Sequence, residues 1–319
     1  MAGGGNKAVV AALLANTGIA VTKFAAWALT QSASMLAEAI HSLADAGNQA
    51  LLLLGAQRAK READELHQFG FGRERYVYSF IVAIVLFSVG GLFALYEGYH
   101  KVQDPHAITG WKWVPVVVLL VAIVLESMSF RTAIIESNKL RGPVSWTRFI
   151  RNARAPELPV ILLEDFAALT GLVLALIGVI LTLATGNGIF DGLGSMAIGA
   201  LLVCVAIFLA IEMKSLLIGE SATREAQQRI VAAIEGVPGL QRLIHIKTLH
   251  IGPEEVLVAA KIGVAPTTDA AVVAEAIDAA ERAIRAAEPM AVHIYLEPDI
   301  YTENHRPDER PAVPETPSH

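Results

Sequence analysis

The stretch LAEAIHSLAD, residues 36–45, places Glu38, His41 and Asp45 inside an otherwise apolar run from Ser34 to Leu54. On a helix His41 and Asp45 stack one turn apart, Glu38 lies a turn earlier on nearly the same face, and Asn48 follows on it. An imidazole and a carboxylate at this spacing suit a divalent metal of intermediate softness, Zn²⁺ first, with Mn²⁺, Fe²⁺ and Co²⁺ as alternatives. The competing reading is a hydrogen-bond network that ties two helices together. Each ionisable group at the centre of a membrane helix costs ~2.5–3.5 kcal/mol on insertion scales, which favours function over accident.

A metal needs more donors than two. Later apolar runs supply Glu126 and the adjacent pair Glu164 and Asp165. Ala168, Gly171, Ala175 and Gly178 follow Glu164 at helical spacing, so Glu164 heads a strip of small residues where another helix approaches closely. Asp165 is turned about 100° away, toward Leu169, Leu172 and Leu176. Glu164 is therefore the expected ligand, and Asp165 a supporting or fourth one. Glu126 could carry protons or partner Lys23, and the structural role is the expected one.

The elements that carry these residues are long. The chain has 319 residues, 54% hydrophobic and only 18% charged, against ~25% charged in ordinary soluble domains. The spacing predicts six membrane helices, near Val9–Leu29, Ser34–Leu54, Tyr76–Gly98, Val114–Ile135, Leu158–Ala184 and Leu193–Ile218. Each is close to or above the ~20 residues that cross ~30 Å of hydrocarbon. Continuous runs exclude a β-barrel, whose strands alternate. No cleavable leader is expected: the apolar run after MAGGGNK is too long and carries Lys23.

Basic residues set the expected orientation. Arg58, Lys60, Arg61, Arg73 and Arg75 lie between runs two and three, and Lys139, Arg141, Arg148, Arg151 and Arg154 between runs four and five. The other loops hold only Lys101 and Lys112. The basic loops and both termini are therefore expected in the cytoplasm, with the protein in the cell (inner) membrane. Trp111 and Trp113 would mark the opposite headgroup zone.

Beyond Ile218 the pattern changes to a soluble α+β domain of order α-β-β-α-β. Its helices are predicted over Ala222–Ile234 and Asp269–Ala287, and its strands over Leu243–Ile251, Val256–Val264 and Ala291–Leu296. The expected organisation is a membrane domain over 1–218, a cytoplasmic domain over 219–298 and a Pro-rich disordered tail over 299–319. A net charge of −6 argues against a nucleic-acid partner. The single cysteine, Cys204, excludes an internal disulfide. No phosphate-binding loop, nucleophile elbow or H-E-x-x-H pattern points to an enzyme, and no bound cofactor is implied.

The span-two pattern S-x-x-x-x-A-E-A-x-H-S-x-x-D, the loop sequence H-x-F-G-x-G-R-E-R-Y at His67–Tyr76 and the L-L-E-D of Leu162–Asp165 resemble the cation diffusion facilitator family, within it the zinc transporter 9-like branch. The resemblance implies a dimeric exporter of Zn²⁺ or a related cation, driven by protons, with His41 and Asp45 as half of its transport site. The family's span-five motif is H-x-x-x-D; aligning Glu164 with its Asp puts Val160 in place of the His. A second loop site of some members matches at Asp64 and His67 but has Phe71 in its third position. In the soluble domain Tyr295 and Glu297 stand where some members carry His and Asp, leaving His245, His250 and His293 as another possible cluster.

The resulting expectation is a proton-coupled divalent-cation exporter. His41, with an ordinary pKa of ~6.5, would exchange a proton for metal. The soluble domain would serve dimerisation. A membrane scaffold with a merely structural metal site is the alternative of a different class, and a channel is a third.

Overall fold

The computed structural model describes residues 3–106 and 111–301. The expected tail from residue 302 onward lies outside the described residues. Asp299, placed at its start, instead ends a strand. The chain divides into two compact units, residues 1–218 and 219–319.

The first unit is a helical bundle. Its long helices are α1 (Gly3–Thr30), α2 (Ala33–Arg58), a 30-residue helix over Glu74–Gln103, α5 (Trp113–Arg141), α7 (Glu157–Thr185) and α8 (Ile189–Ile218). The third consists of α3 (Glu74–Val85) and α4 (Phe93–Gln103) joined by a π-helical stretch, Leu86–Leu92. All six apolar runs are helices. Among the described residues four of them, Glu74–Gln103, Trp113–Lys139, Glu157–Thr185 and Ile189–Ile218, are long and apolar enough to cross a membrane. Several exceed their apolar cores, because hydropathy marks where apolar surface stops and not where backbone hydrogen bonding stops. A short helix, α6 (Trp146–Asn152), capped by the Ser145 hydroxyl, interrupts what the sequence reading treats as loop.

The bundle turns membrane logic outward. Val117, Val121 and Val124 of α5, Ile180 of α7 and Ile211 of α8 face outward, each close to half exposed or more. Inside, α2 packs against α1, α3, the π-helical stretch, α7 and α8. Its buried face includes Glu38, His41, Asp45 and Asn48. Small residues let the others approach: a Cβ on Gly199 of α8 would lie 2.8 Å from the Gly91 carbonyl oxygen, so no side chain fits there.

The start of α2 is fixed by a carboxylate from far along the chain. Asp191, in the first turn of α8, accepts from the Ser32 hydroxyl (2.7 Å), the Ala33 amide (2.7 Å) and the Ser34 amide (3.2 Å). Those groups belong to the helix N-terminus, where orphan N–H donors favour negative charge.

The second unit has α9 (Arg224–Glu235), β1 (Arg242–Gly252), β2 (Glu255–Gly263), α10 (Ala270–Ala287) and β3 (Ala291–Asp299). This is the α-β-β-α-β order expected. The sheet runs β1-β2-β3, with β1 antiparallel and β3 parallel to β2. Ile230 and Ile234 of α9 and Ile284 of α10 pack with Val256, Val258, Ala260 and Ile262 of β2 and Ile294 of β3.

Candidate metal site in the helix bundle

The helical spacing of α2 does what it implies. His41 Nε2 lies 3.6 Å from Asp45 Oδ2, both side chains nearly solvent-free. That is outside hydrogen-bonding range, and neither ring nitrogen of His41 nor Asp45 Oδ1 has a hydrogen-bond partner among the described residues. Buried polar atoms are almost always satisfied, so three orphaned donor or acceptor atoms on one turn of helix mark a place for something else.

Glu164 of α7 completes the group. It is buried, is in side-chain contact with Asp45, and accepts from Asn48 Nδ2 at 2.6 Å. The small-residue strip below it (Ala168, Gly171, Ala175, Gly178) is buried along the same face. Asp165 is only partly buried and points elsewhere, accepting from Ser129 of α5 at 3.0 Å. The structure thus sets Glu164 against Asp45, which lies one turn from His41 on α2, and leaves Asp165 on the α5 side. The π-helical stretch closes a further wall: a Cβ on Gly90 would sit 3.9 Å from His41 Nδ1. π-Helical turns concentrate at functional sites.

The expected Lys23–Glu126 pairing is corrected. Lys23 donates to Glu38 Oε2 (3.0 Å) and to the Ser42 hydroxyl (2.7 Å), all within the core. Glu126 is buried nearby on α5, within electrostatic range of Lys23 and Glu38. Lys23 reaches Glu38 because α1 and α2 are joined by a tight turn at Gln31 (φ 54°) and lie side by side. Beyond the predicted third run α4 also carries His100, which is exposed, whereas His41 is buried.

The weaker candidates stand apart from this group. Asp64 Oδ1 is taken by the His67 amide (2.6 Å), the Leu66 amide (3.0 Å) and the His67 ring (3.0 Å) on an exposed loop. The His67 amide above all holds the Asp64 carboxyl below its ordinary pKa. Phe71 stacks on His67, ring centroids 4.6 Å apart, where a third ligand would stand. In the sheet His245 lies opposite Lys261 and His293 opposite Leu257, while buried His250 lies with Nδ1 3.2 Å from the Gly252 carbonyl oxygen. These three histidines do not converge. Among the described residues, no three His, Cys, Asp or Glu side chains are gathered closely enough to hold a metal as they stand.

The site residues missed by sequence reasoning are Asn48 as a support for Glu164, the Lys23–Glu38 pair and Asp191. The last lies just before the apolar core of α8, where hydropathy treats it as a loop residue.

Residues 9–218 match the cation efflux transmembrane domain. The chain belongs to the cation efflux family. It is an integral membrane protein carrying that family's transmembrane domain, in line with the resemblance to cation diffusion facilitators. It is 35% identical over 262 residues to the proton-coupled zinc antiporter SLC30A9, mitochondrial, of Xenopus laevis, covering 81% of this chain and 46% of that protein. The human protein of the same name is 34% identical over 251 residues, 78% of this chain and 44% of the other. Metal tolerance protein C4 of Arabidopsis thaliana is 29% identical over 249 residues, 77% of this chain and 54% of that protein. The chain thus spans about half the length of these relatives. The solved MamM C-terminal domain aligns with 24% of this chain and 95% of its own at 25% identity, with a TM-score of 0.23.

Proposed function

We propose that this cation efflux protein exports Zn²⁺ by exchange with protons, with His41, Asp45 and Glu164 as the ligands that bind it. The observation that carries the reading is the buried trio of atoms without hydrogen-bond partners, both His41 nitrogens and Asp45 Oδ1, beside Glu164. The relatives named as proton-coupled zinc antiporters support the substrate and the coupling. Mn²⁺, Fe²⁺ and Co²⁺ remain competitors, since one imidazole with carboxylates accepts any of them.

The ligand set is open in this conformation, so α2 and α7 close on the cation when it enters. Neutral imidazole and ionised carboxylates bind metal, and protons compete for the same atoms. Two carboxyl groups in contact, Asp45 and Glu164, are stabilised by a shared proton or by a cation between them. Asn48 orients Glu164, as outer partners do for metal ligands. Asp165, bonded to Ser129, serves as a relay or support and not as a direct ligand. The Asp64–His67 loop pair holds no cargo. No resident cofactor takes part.

Six helices, α1, α2, α3–α4, α5, α7 and α8, cross the membrane in this reading. The loops rich in arginine and lysine face the cytoplasm with both termini, and the location is the cell (inner) membrane. Residues 219–298 form a cytoplasmic domain that pairs two copies of the chain.

The test is ion uptake into proteoliposomes with Zn²⁺, Mn²⁺, Fe²⁺ and Co²⁺ offered separately and a pH-sensitive dye inside. Zn²⁺ flux with opposing proton movement is expected. Absence of flux for every cation would refute the proposal.

A further inference from the structure

Lys23 is the one fully buried lysine or arginine among the described residues of the bundle. An ammonium group pays several kcal/mol to leave water and needs a specific reason to remain. Its contacts straddle His41 on α2: Glu38 Oε2 lies three residues before it and the Ser42 hydroxyl directly after it. Lys23 is also close enough for its charge to act on His41 and Asp45.

Glu38 is the residue this restrains. It shares the buried face of α2 with His41 and Asp45. Its Oε1 has no hydrogen-bond partner among the described residues and is directed at α7, 2.9 Å from where a Cβ on Gly171 would stand. Released from Lys23, a carboxylate one turn from His41 has the chemistry of a further ligand. A neutral imidazole with two carboxylates balances a divalent cation; a third carboxylate would make the complex anionic. A transport site must bind its cargo weakly enough to let it go.

We propose that Lys23 is a charge-setting positioning residue of the transport site. It holds Glu38 out of the ligand set, so that the cation meets the two negative charges of Asp45 and Glu164. The proposal rests on the metal-transport reading above. Lys23 touches no cargo; it acts through its own charge and through its hold on Glu38.

The test is equilibrium binding of Zn²⁺ to the full chain in detergent at one pH, for the wild type, Lys23→Met, Glu38→Gln and the double variant, with thermal unfolding recorded for each. Lys23→Met should bind Zn²⁺ about tenfold tighter or more, because a buried positive charge is gone and a carboxylate is freed. Glu38→Gln leaves the lysine uncompensated and should bind about tenfold more weakly than the double variant. These last two differ only in the lysine charge, so they test the charge-setting role even if Lys23→Met does not fold, and tightening in Lys23→Met beyond that difference tests the hold on Glu38. Equal Zn²⁺ affinity in Glu38→Gln and the double variant, with only the unfolding temperatures changed, would reduce the pair to a structural tie and overturn the proposal. His41→Ala separates the two levels. If the wild type shows no His41-dependent Zn²⁺ binding, the transport reading itself fails; if it does and the lysine charge has no effect, only this inference fails.

Discussion

The Asn48 amide on α2 and the Glu164 carboxylate on α7 are joined by a 2.6 Å hydrogen bond across 116 residues of chain. This bond fixes the one span-five carboxylate in contact with Asp45, while Asp165 next to it is held by Ser129 on another helix. Glu164→Ala should therefore reduce Zn²⁺ affinity and transport more than Asp165→Ala, and Asn48→Ala should cost about 10–100-fold in affinity, the usual loss when a ligand's outer partner is removed. Binding titrations on the three variants check the order. Equal or reversed losses for Glu164 and Asp165 would mean that α7 presents its other face to the cargo.

Asp191 predicts a stability effect separate from transport. Its carboxylate satisfies two amides and a hydroxyl at the start of α2, and the Ser34 hydroxyl donates to its backbone carbonyl at 2.9 Å. Asp191→Ala should destabilise the bundle by about 1.5–3 kcal/mol, the range for a hydrogen bond to a charged group. The thermal midpoint in detergent should fall, while the protein that remains folded still binds Zn²⁺. An unchanged midpoint would contradict the capping role.

Much of this arrangement is legible in the sequence because it is local. The i, i+4 relation of His41 and Asp45 and the small-residue face below Glu164 follow from helix geometry alone. The alternation of strands and helices after Ile218 is likewise a matter of neighbouring residues. What is not legible depends on which helices meet. Lys23 finds Glu38 and not Glu126 because α1 lies against α2, and a turn of two residues does not announce that. Asp191 looks like a loop residue until α8 is placed against the N-terminus of α2. The π-helical stretch beside His41 leaves only Gly90 and Gly91 as a trace in the sequence.

Glycines give opposite predictions according to their surroundings. A Cβ on Gly199 would lie 2.7 Å from the Leu95 amide nitrogen, whereas one on Gly47 would meet nothing within 4 Å. Gly199→Ala should cost about 1–3 kcal/mol through overpacking. Gly47→Ala, in the interior of α2, should be neutral or stabilise by about 0.5–1 kcal/mol. Paired thermal melts test the contrast, and similar melting of both variants would argue against close packing of α4 on α8.

In the soluble unit Lys261 of β2 donates to Asp299 Oδ2 at 3.0 Å and lies 3.1 Å from Glu297 Oε1, both on β3. The Asp299 hydrogen bond, then that to Glu297, raises the lysine above its ordinary range. A raised folded-state pKa gives stability that is fully present below the unfolded value of ~10.4 and is lost as pH rises through the folded one. Amide exchange of β3 should therefore quicken at alkaline pH in the wild type more steeply than in Lys261→Met. Parallel pH profiles would show that the bridges contribute nothing to the sheet.

The central claim is that His41 exchanges a proton for the cation. Its most direct measurement is Zn²⁺ flux into proteoliposomes between pH 6 and 8 (about the interval over which a histidine of ordinary pKa titrates). Flux is compared under an imposed proton gradient and with the gradient collapsed by an ionophore, for the wild type and His41→Ala. The account predicts gradient-dependent flux in the wild type and none in His41→Ala. Equal wild-type flux with and without the gradient at every pH, or wild-type flux in His41→Ala, would contradict it.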